Sequence, residues 1–215
     1  MNVARMNSRL YPVLITLIVA AGLGAVVAHL LSRSGSQPPA TEALTLLTPA
    51  KPLTAFALRA ADARVVDPAS LRGHWTLVFF GFTHCPDVCP TTLTLLAGTV
   101  RSLTDLPAAA RPQVLLISVD PERDTPQRLA DYVRFFDPAF IGATAPEPEL
   151  ARAAAAFATP YARVPLPTGG YTMDHGPGIF IVNPAGAIAG YASAPGDSAR
   201  LARDYRKLVA YAGSS

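Results

Sequence analysis

A chain of 215 residues leaves room for one folded domain plus an extension, at the usual ~100–200 residues per domain. Half of its residues are hydrophobic and 15% are charged, which excludes a long disordered polyampholyte and calls for an apolar core, a membrane segment or both. The formal net charge is +3, and with Arg5 and Arg9 set aside sixteen basic residues face fifteen acidic ones, so there is no basic field for a nucleic acid partner.

Residues 1–9 form a short tail carrying Arg5 and Arg9, and residues 10–31 follow with no formally charged side chain apart from a protonatable His29. As a helix those positions reach across the ~30 Å hydrocarbon layer, and they are too long, without a small-x-small site, for a cleaved signal peptide. An uncleaved transmembrane signal anchor is expected. Positive charge lies mostly before it, which keeps the amino terminus cytoplasmic and exports the rest. No cysteine follows the segment to take a lipid. Residues 32–52, rich in Ser, Pro, Ala and Thr, read as a tether. A tail of nine residues is too short for an organelle transit peptide, so the bacterial inner membrane, crossed once with the C-terminal domain in the periplasm, is the expected location.

The exported domain is expected over 53–212. Residues 55–66 suit a strand pair, and 76–82 (TLVFFGF) and 113–119 (QVLLISV) are apolar runs suited to buried strands. Between them Leu93, Leu96, Ala97, Val100 and Leu103 recur at helical spacing. Asp124 or Thr125 can cap a second helix that has Pro126 at its start and Leu129, Val133 and Phe136 on one face. A shorter helix is expected over 147–157, then a Pro- and Gly-rich insertion over 159–174 in which Gly169-Gly170 reads as a hairpin turn. Residues 178–182 and 187–191 form a hairpin through Asn183-Pro184-Ala185-Gly186, and Asp197 or Ser198 caps a last helix. The order β-α-β-α, extra helix, β-β-α predicts an α/β thioredoxin-like fold behind an N-terminal transmembrane helix.

The two cysteines, Cys85 and Cys89, stand where a strand runs into a helix, the end at which open α/β sheets place ligands. Pro90 fits a first helical position, which makes Cys89 the cap and puts Cys85 in the preceding turn. The helix dipole favours thiolates and Asp87 opposes them. A structural disulfide would also account for the pair, although so short a loop restrains an unfolded chain little. Thiolates suit Cu(I), and imidazole is an acceptable third donor. Of the four histidines, His29 lies in the membrane run, His74 precedes a strand on the side away from the cysteines, and His84 is expected to point off the strand end. His175 lies in the loop 174–177, which enters the strand at Gly178 and in this fold packs beside the amino end of the first helix, so a trigonal site of Cys85, Cys89 and His175 is the expected metal centre. A polar loop residue is the other reading of His175. Asp174 suits a hydrogen bond to that ring. Turn and cap chemistry explains most of Asp120, Arg123 and Asp124, while Asp120, at a strand's carboxyl end, is also placed to line the site.

GFTHCPDVCP, ISVDPERDTP some thirty residues on, and YTMDHG further along together resemble the Sco/SenC family of membrane-anchored, thioredoxin-like copper proteins over about residues 53–209. The resemblance implies copper, as Cu(I) and also Cu(II), on Cys85, Cys89 and His175. It further implies a role in assembling the dinuclear copper centre of cytochrome c oxidase, with the oxidase's copper-binding subunit as partner and a monomer as the working state. Two activities follow from it. In a metallochaperone, which is not an enzyme, the three donors carry copper and pass it on. In a thiol-disulfide oxidoreductase, one thiolate of Cys85 and Cys89 attacks a partner disulfide and the other resolves it, leaving a Cys85–Cys89 disulfide and a reduced partner. A peroxidase is a remoter reading, since its Thr-x-x-Cys pattern is not met with Thr83 only two before Cys85. Gly176-Pro177-Gly178 departs from the family's usual Thr or Ser after the histidine, and Pro177 falls where thioredoxins carry a cis-proline, so a cis bond that narrows the site is expected there.

Overall fold

The computed structural model describes residues 10–33, 37–176, 178–193 and 196–214. Pro177, on which the cis-bond expectation falls, and the 1–9 tail lie outside the described residues. In chain order the elements are α1 (Leu10–Arg33), β1 (Thr45–Pro52), β2 (Leu58–Ala60), β3 (Val65–Val66), β4 (Thr76–Gly81), α2 (Val88–Ser102), β5 (Gln113–Ser118), α3 (Pro126–Arg134), β6 (Ile141–Thr144), α4 (Glu149–Ala156), β7 (Tyr161–Pro165), β8 (Tyr171–His175), β9 (Ile179–Val182), β10 (Ala187–Ala192) and α5 (Ser198–Ser214). The expected span over 10–31 falls on α1, whose side chains are described for residues 14–27 and are exposed there. Among the described residues no helix is long and apolar enough to cross a membrane.

An eight-stranded mixed sheet, ordered β1-β10-β9-β4-β5-β6-β2-β3, forms the body. β4, β5 and β6 are parallel, joined by α2 and α3, and β9 lies antiparallel against the other edge of β4. All six residues of β4 are buried, because this central strand is covered on both faces. Phe79 and Gly81 share the face toward α2, and a Cβ built on Gly81 would meet Cys89 of α2, the Phe79 ring and Leu116 of β5. Phe80 points the other way and packs edge-on against Phe157, the C-cap of α4. This is the thioredoxin-like α/β arrangement that the element order predicts.

Two departures from the sequence reading, the early end of the tether and strand β6, have local causes. The expected tether ends early: β1 pairs antiparallel with β10, Thr45 opposite Tyr191, so the sheet begins inside the 32–52 segment and ahead of residue 53. Its prolines are tolerated because β1 is an edge strand. Just before it, the Glu42 and Ala43 amides each donate to Asp204 of α5 at 2.6 Å. Strand β6 was not expected. It is four residues long and holds Gly142, which is required there because an added Cβ would lie 2.7 Å from Leu129 Cβ on α3. The insertion over 159–174 is the β7–β8 hairpin, a two-stranded sheet with no ladder to the main one. It turns at Gly169 and Gly170, both with positive φ.

The expected turns and caps are present elsewhere. Asn183 Oδ1 accepts from the Ala185 and Ala187 amides, closing the β9–β10 turn. Thr125, not Asp124, caps α3, accepting from the Arg128 amide with Pro126 in the first turn. Asp197 accepts from the Arg200 amide at the start of α5.

Candidate functional site

β4 ends at Gly81 and the chain turns through residues 82–87 into α2. The helix starts at Val88 with Asp87 as N-cap, so Cys89 is its second residue and Pro90 its third, not cap and first residue as expected. The proline is tolerated because the first four helical amides have no acceptor within the helix. The Asp87 side chain makes no cap bond. Instead the Cys89 amide donates to Cys85 Sγ at 3.4 Å, so a sulfur satisfies one of the open donors. Both thiols are free; Cys89 is fully buried and Cys85 half-buried. Burial pushes the Cys89 thiol far above its ordinary range against a lowering bond from the Phe82 backbone, and the Cys85 sulfur and the Asp124 charge add to the rise. Gly81 is what lets the sulfur lie against the strand: a Cβ there would stand 3.0 Å from Cys89 Sγ and 3.0 Å from the Phe79 ring.

His175 is the last residue of β8, in register with Tyr161, rather than part of a loop. Its Nδ1 lies 3.0 Å from the Gly176 carbonyl oxygen. A carbonyl only accepts, so Nδ1 is the donor, and in the neutral ring this leaves Nε2 with its lone pair. Nε2 faces Cys89 Sγ at 3.9 Å. The Phe79 and Phe82 rings each meet the imidazole edge-on with centroids 6.0 Å away. A cleft of about 320 Å³, lined by Pro160, Tyr161, Ala162, Asp174, His175 and Gly176, opens beside the imidazole. The donor set therefore has soft sulfur and a correctly prepared ring nitrogen. Metal bonds of about 2.3 Å to sulfur and 2.0–2.1 Å to nitrogen, opened to a trigonal 120°, set two donors about 3.8 Å apart. The separation found fits one shared ion. Among the described residues no group of three or more His, Cys, Asp or Glu is placed so that it could hold a metal ion. What they contain is the Cys89–His175 pair, with the Cys85 sulfur tied to it through the Cys89 amide.

The other expected residues fall outside this centre. Asp174 is exposed on the opposite face of β8, and the Gly176 carbonyl, not its carboxylate, holds the imidazole. His84 has its Nδ1 3.1 Å from Thr83 Oγ1 and 3.9 Å from Asp124 Oδ1. His74 is exposed at the far end of β4. Asp120 is buried but does not reach the sulfurs: its carboxylate accepts from Arg123 Nε and, at 2.9 Å, from the Tyr171 hydroxyl. Sequence reasoning missed Asp124 as a support. Fully buried, it accepts from the Thr83 amide and hydroxyl and from Ser118 Oγ, fixing the loop that leads to Cys85. Tyr171 and Arg163 were missed as well; their partners in the 120–124 turn lie some 40–50 residues away, and no spacing marks them.

A thioredoxin-like domain with a half-exposed and a buried thiol at a helix start, and an imidazole arriving on a separate hairpin, defines a class of dithiol proteins with a soft-donor site. The chain belongs to the SCO1/SenC family, whose family model matches residues 47–210. The mitochondrial SCO2 homologue of Bos taurus is 34% identical over 200 residues, 92% of this chain and 74% of that protein. A Stutzerimonas stutzeri protein named for copper binding is 39% identical over 128 residues, 59% of this chain; the chain spans 61% of that relative's length. Among solved structures, Bradyrhizobium japonicum ScoI with copper bound superposes with a TM-score of 0.65 at 33% identity, covering 73% of this chain and 99% of that one.

Proposed function

We propose that this protein is a copper metallochaperone in which Cys85, Cys89 and His175 hold the ion, and that it serves assembly of the copper centre of cytochrome c oxidase. The observation that carries the reading is the imidazole: its Nδ1 is committed to a carbonyl and its Nε2 lone pair is aimed at Cys89 Sγ at trigonal-donor spacing. The copper-bound ScoI of Bradyrhizobium and the Stutzerimonas relative named for copper binding support copper as the cargo. Cu(I) suits two sulfurs and one imidazole, and the imidazole extends the set to Cu(II). On loading, the sulfurs give up their protons, Cys89 against the burial that holds its proton in the empty site. Cys85, half-exposed, and the cleft beside His175 leave a side open to an acceptor's thiolates or imidazoles, so the ion can move by ligand exchange.

The partner in this reading is the oxidase subunit that carries the copper centre. Helix α1 is the membrane anchor, and the domain works as a monomer on the periplasmic side of a bacterial inner membrane. The same two thiols suit disulfide exchange, but that chemistry gives the prepared imidazole no task, so the copper reading is preferred.

Anaerobic Cu(I) titration of the reduced protein against a chromophoric chelator tests it. One ion is expected per chain, with affinity lost in Cys85→Ser and reduced about 10–100-fold or more in His175→Ala. A wild-type protein that takes up no copper while readily reducing a model disulfide overturns it.

A further inference from the structure

The β7–β8 hairpin that carries His175 has no hydrogen-bond ladder to the main sheet, so beyond the Gly176 carbonyl and the Phe79 and Phe82 rings the placing of the imidazole depends on side-chain contacts between hairpin and body. Strand alternation and the β7–β8 register put Tyr161, Arg163 and Pro165 on one face with Tyr171, Met173 and His175. On that face the Tyr171 ring lies between two guanidinium groups, with Arg123 Cζ 3.9 Å and Arg163 Cζ 4.0 Å from its centroid. Two cations that close to one ring centre occupy its opposite faces. Arg123 comes from the 120–124 turn after β5, and Arg163 from β7. Three further bonds join the same two segments: the Tyr171 hydroxyl donates to Asp120 at 2.9 Å, Arg123 Nη1 donates to the Tyr171 carbonyl at 3.1 Å, and Arg163 pairs with Glu122. Asp120 is itself buried and held by Arg123, so the hairpin is clasped to a rigid part of the body.

We infer that Tyr171 is a positioning residue: clasped between Arg123 and Arg163, it sets the His175 imidazole against Cys89, so copper affinity depends on a side chain that touches no ligand. The inference rests on the copper reading and adds to it the device that places the third donor. Each cation–ring contact contributes modestly on its own. Their weight here comes from acting at one point on a strand whose end, four residues on, bears the ligand.

The test is a double-mutant cycle read by anaerobic Cu(I) competition titration on wild type, Tyr171→Leu, His175→Ala and the double variant, with Tyr171→Phe as the conservative control. Tyr171→Leu should lower affinity about tenfold or more, the range for supports of metal ligands. The double variant should be no weaker than His175→Ala alone, because Tyr171 acts only through that ring. Tyr171→Phe keeps the stack and should retain most of the affinity. Nitrogen hyperfine structure in the Cu(II) spectrum should fade in Tyr171→Leu. Affinity within about twofold of wild type in Tyr171→Leu, or additive losses in the double variant, overturns the inference. If His175→Ala itself binds as wild type does, the copper reading fails instead. Should Tyr171→Leu not fold, Arg163→Gln removes one half of the stack and the Glu122 pair at an exposed position, and the same cycle with His175→Ala decides the matter.

Discussion

At the residue scale the two sulfurs differ in burial, and that difference is open to measurement. Cys89 is sealed beneath the helix start against Gly81, while Cys85 meets water. Iodoacetamide at pH 8 should modify one thiol of the reduced protein, Cys85 by peptide mapping, and reach Cys89 only after denaturation; equal labelling of both would contradict the packing. The raised pKa of Cys89 also ties stability to pH. The folded state keeps a proton that the unfolded chain releases above its ordinary value of 9.0, so the unfolded state binds fewer protons and stability falls as pH climbs past that value. The loss approaches about 1.4 kcal/mol per pH unit. Urea midpoints between pH 8 and pH 10 should fall more steeply for wild type than for Cys89→Ala. The three proposed ligands could be singled out in the sequence as candidates, because cysteines and histidines are scarce and the cysteine spacing is distinctive. The sulfur cap could not: it required the helix to begin two residues before Pro90, and the four open amides of a helix start let a proline sit at any of several positions.

At the element scale, β1 depends on a latch distant in sequence. Burial alone would raise the Asp204 carboxyl, but the Ala43 and Glu42 amides and Lys207 outweigh it and hold the group below the usual carboxylate range. Stability from this latch is present above the unfolded carboxylate pKa and is lost as pH falls through the lower folded value. Asp204→Ala removes the acceptor of two amides, and a charge-assisted hydrogen bond contributes about 1.5–3 kcal/mol. A protease of broad specificity should then cut within residues 37–52 at neutral pH, where the wild-type segment resists; unchanged cleavage would show that the pairing with β10 suffices alone. The central strands β4 and β5 could be read from their apolar runs. β6 could not, since it is only four residues long and is interrupted by Gly142, whose identity is set by Leu129 pressing from α3. The hairpin's turn was visible in Gly169-Gly170. Its register, which puts Tyr171 and His175 on one face, was not, because the mostly exposed residues of β7 show no alternation.

At the scale of the whole molecule, α1 is proposed to tie the domain to a membrane. Full-length protein should therefore stay with the membrane fraction through a carbonate wash at pH 11, and a chain beginning at residue 37 should be released into the supernatant. Recovery of the full chain in the soluble fraction would remove the anchor. The direction of β1 gives that attachment a spatial meaning. β1 runs antiparallel to β10, β10 to β9 and β9 to β4, so Thr45 enters the sheet at the end where β4 delivers the cysteines. From Arg33 to Thr41 the backbone stretches at most about 28 Å. With α1 held in a bilayer as proposed, the leash leaves from the working end of the domain, which would keep the sulfurs within a tether's length of the lipid headgroups and oblige an acceptor to present its own donors on that side.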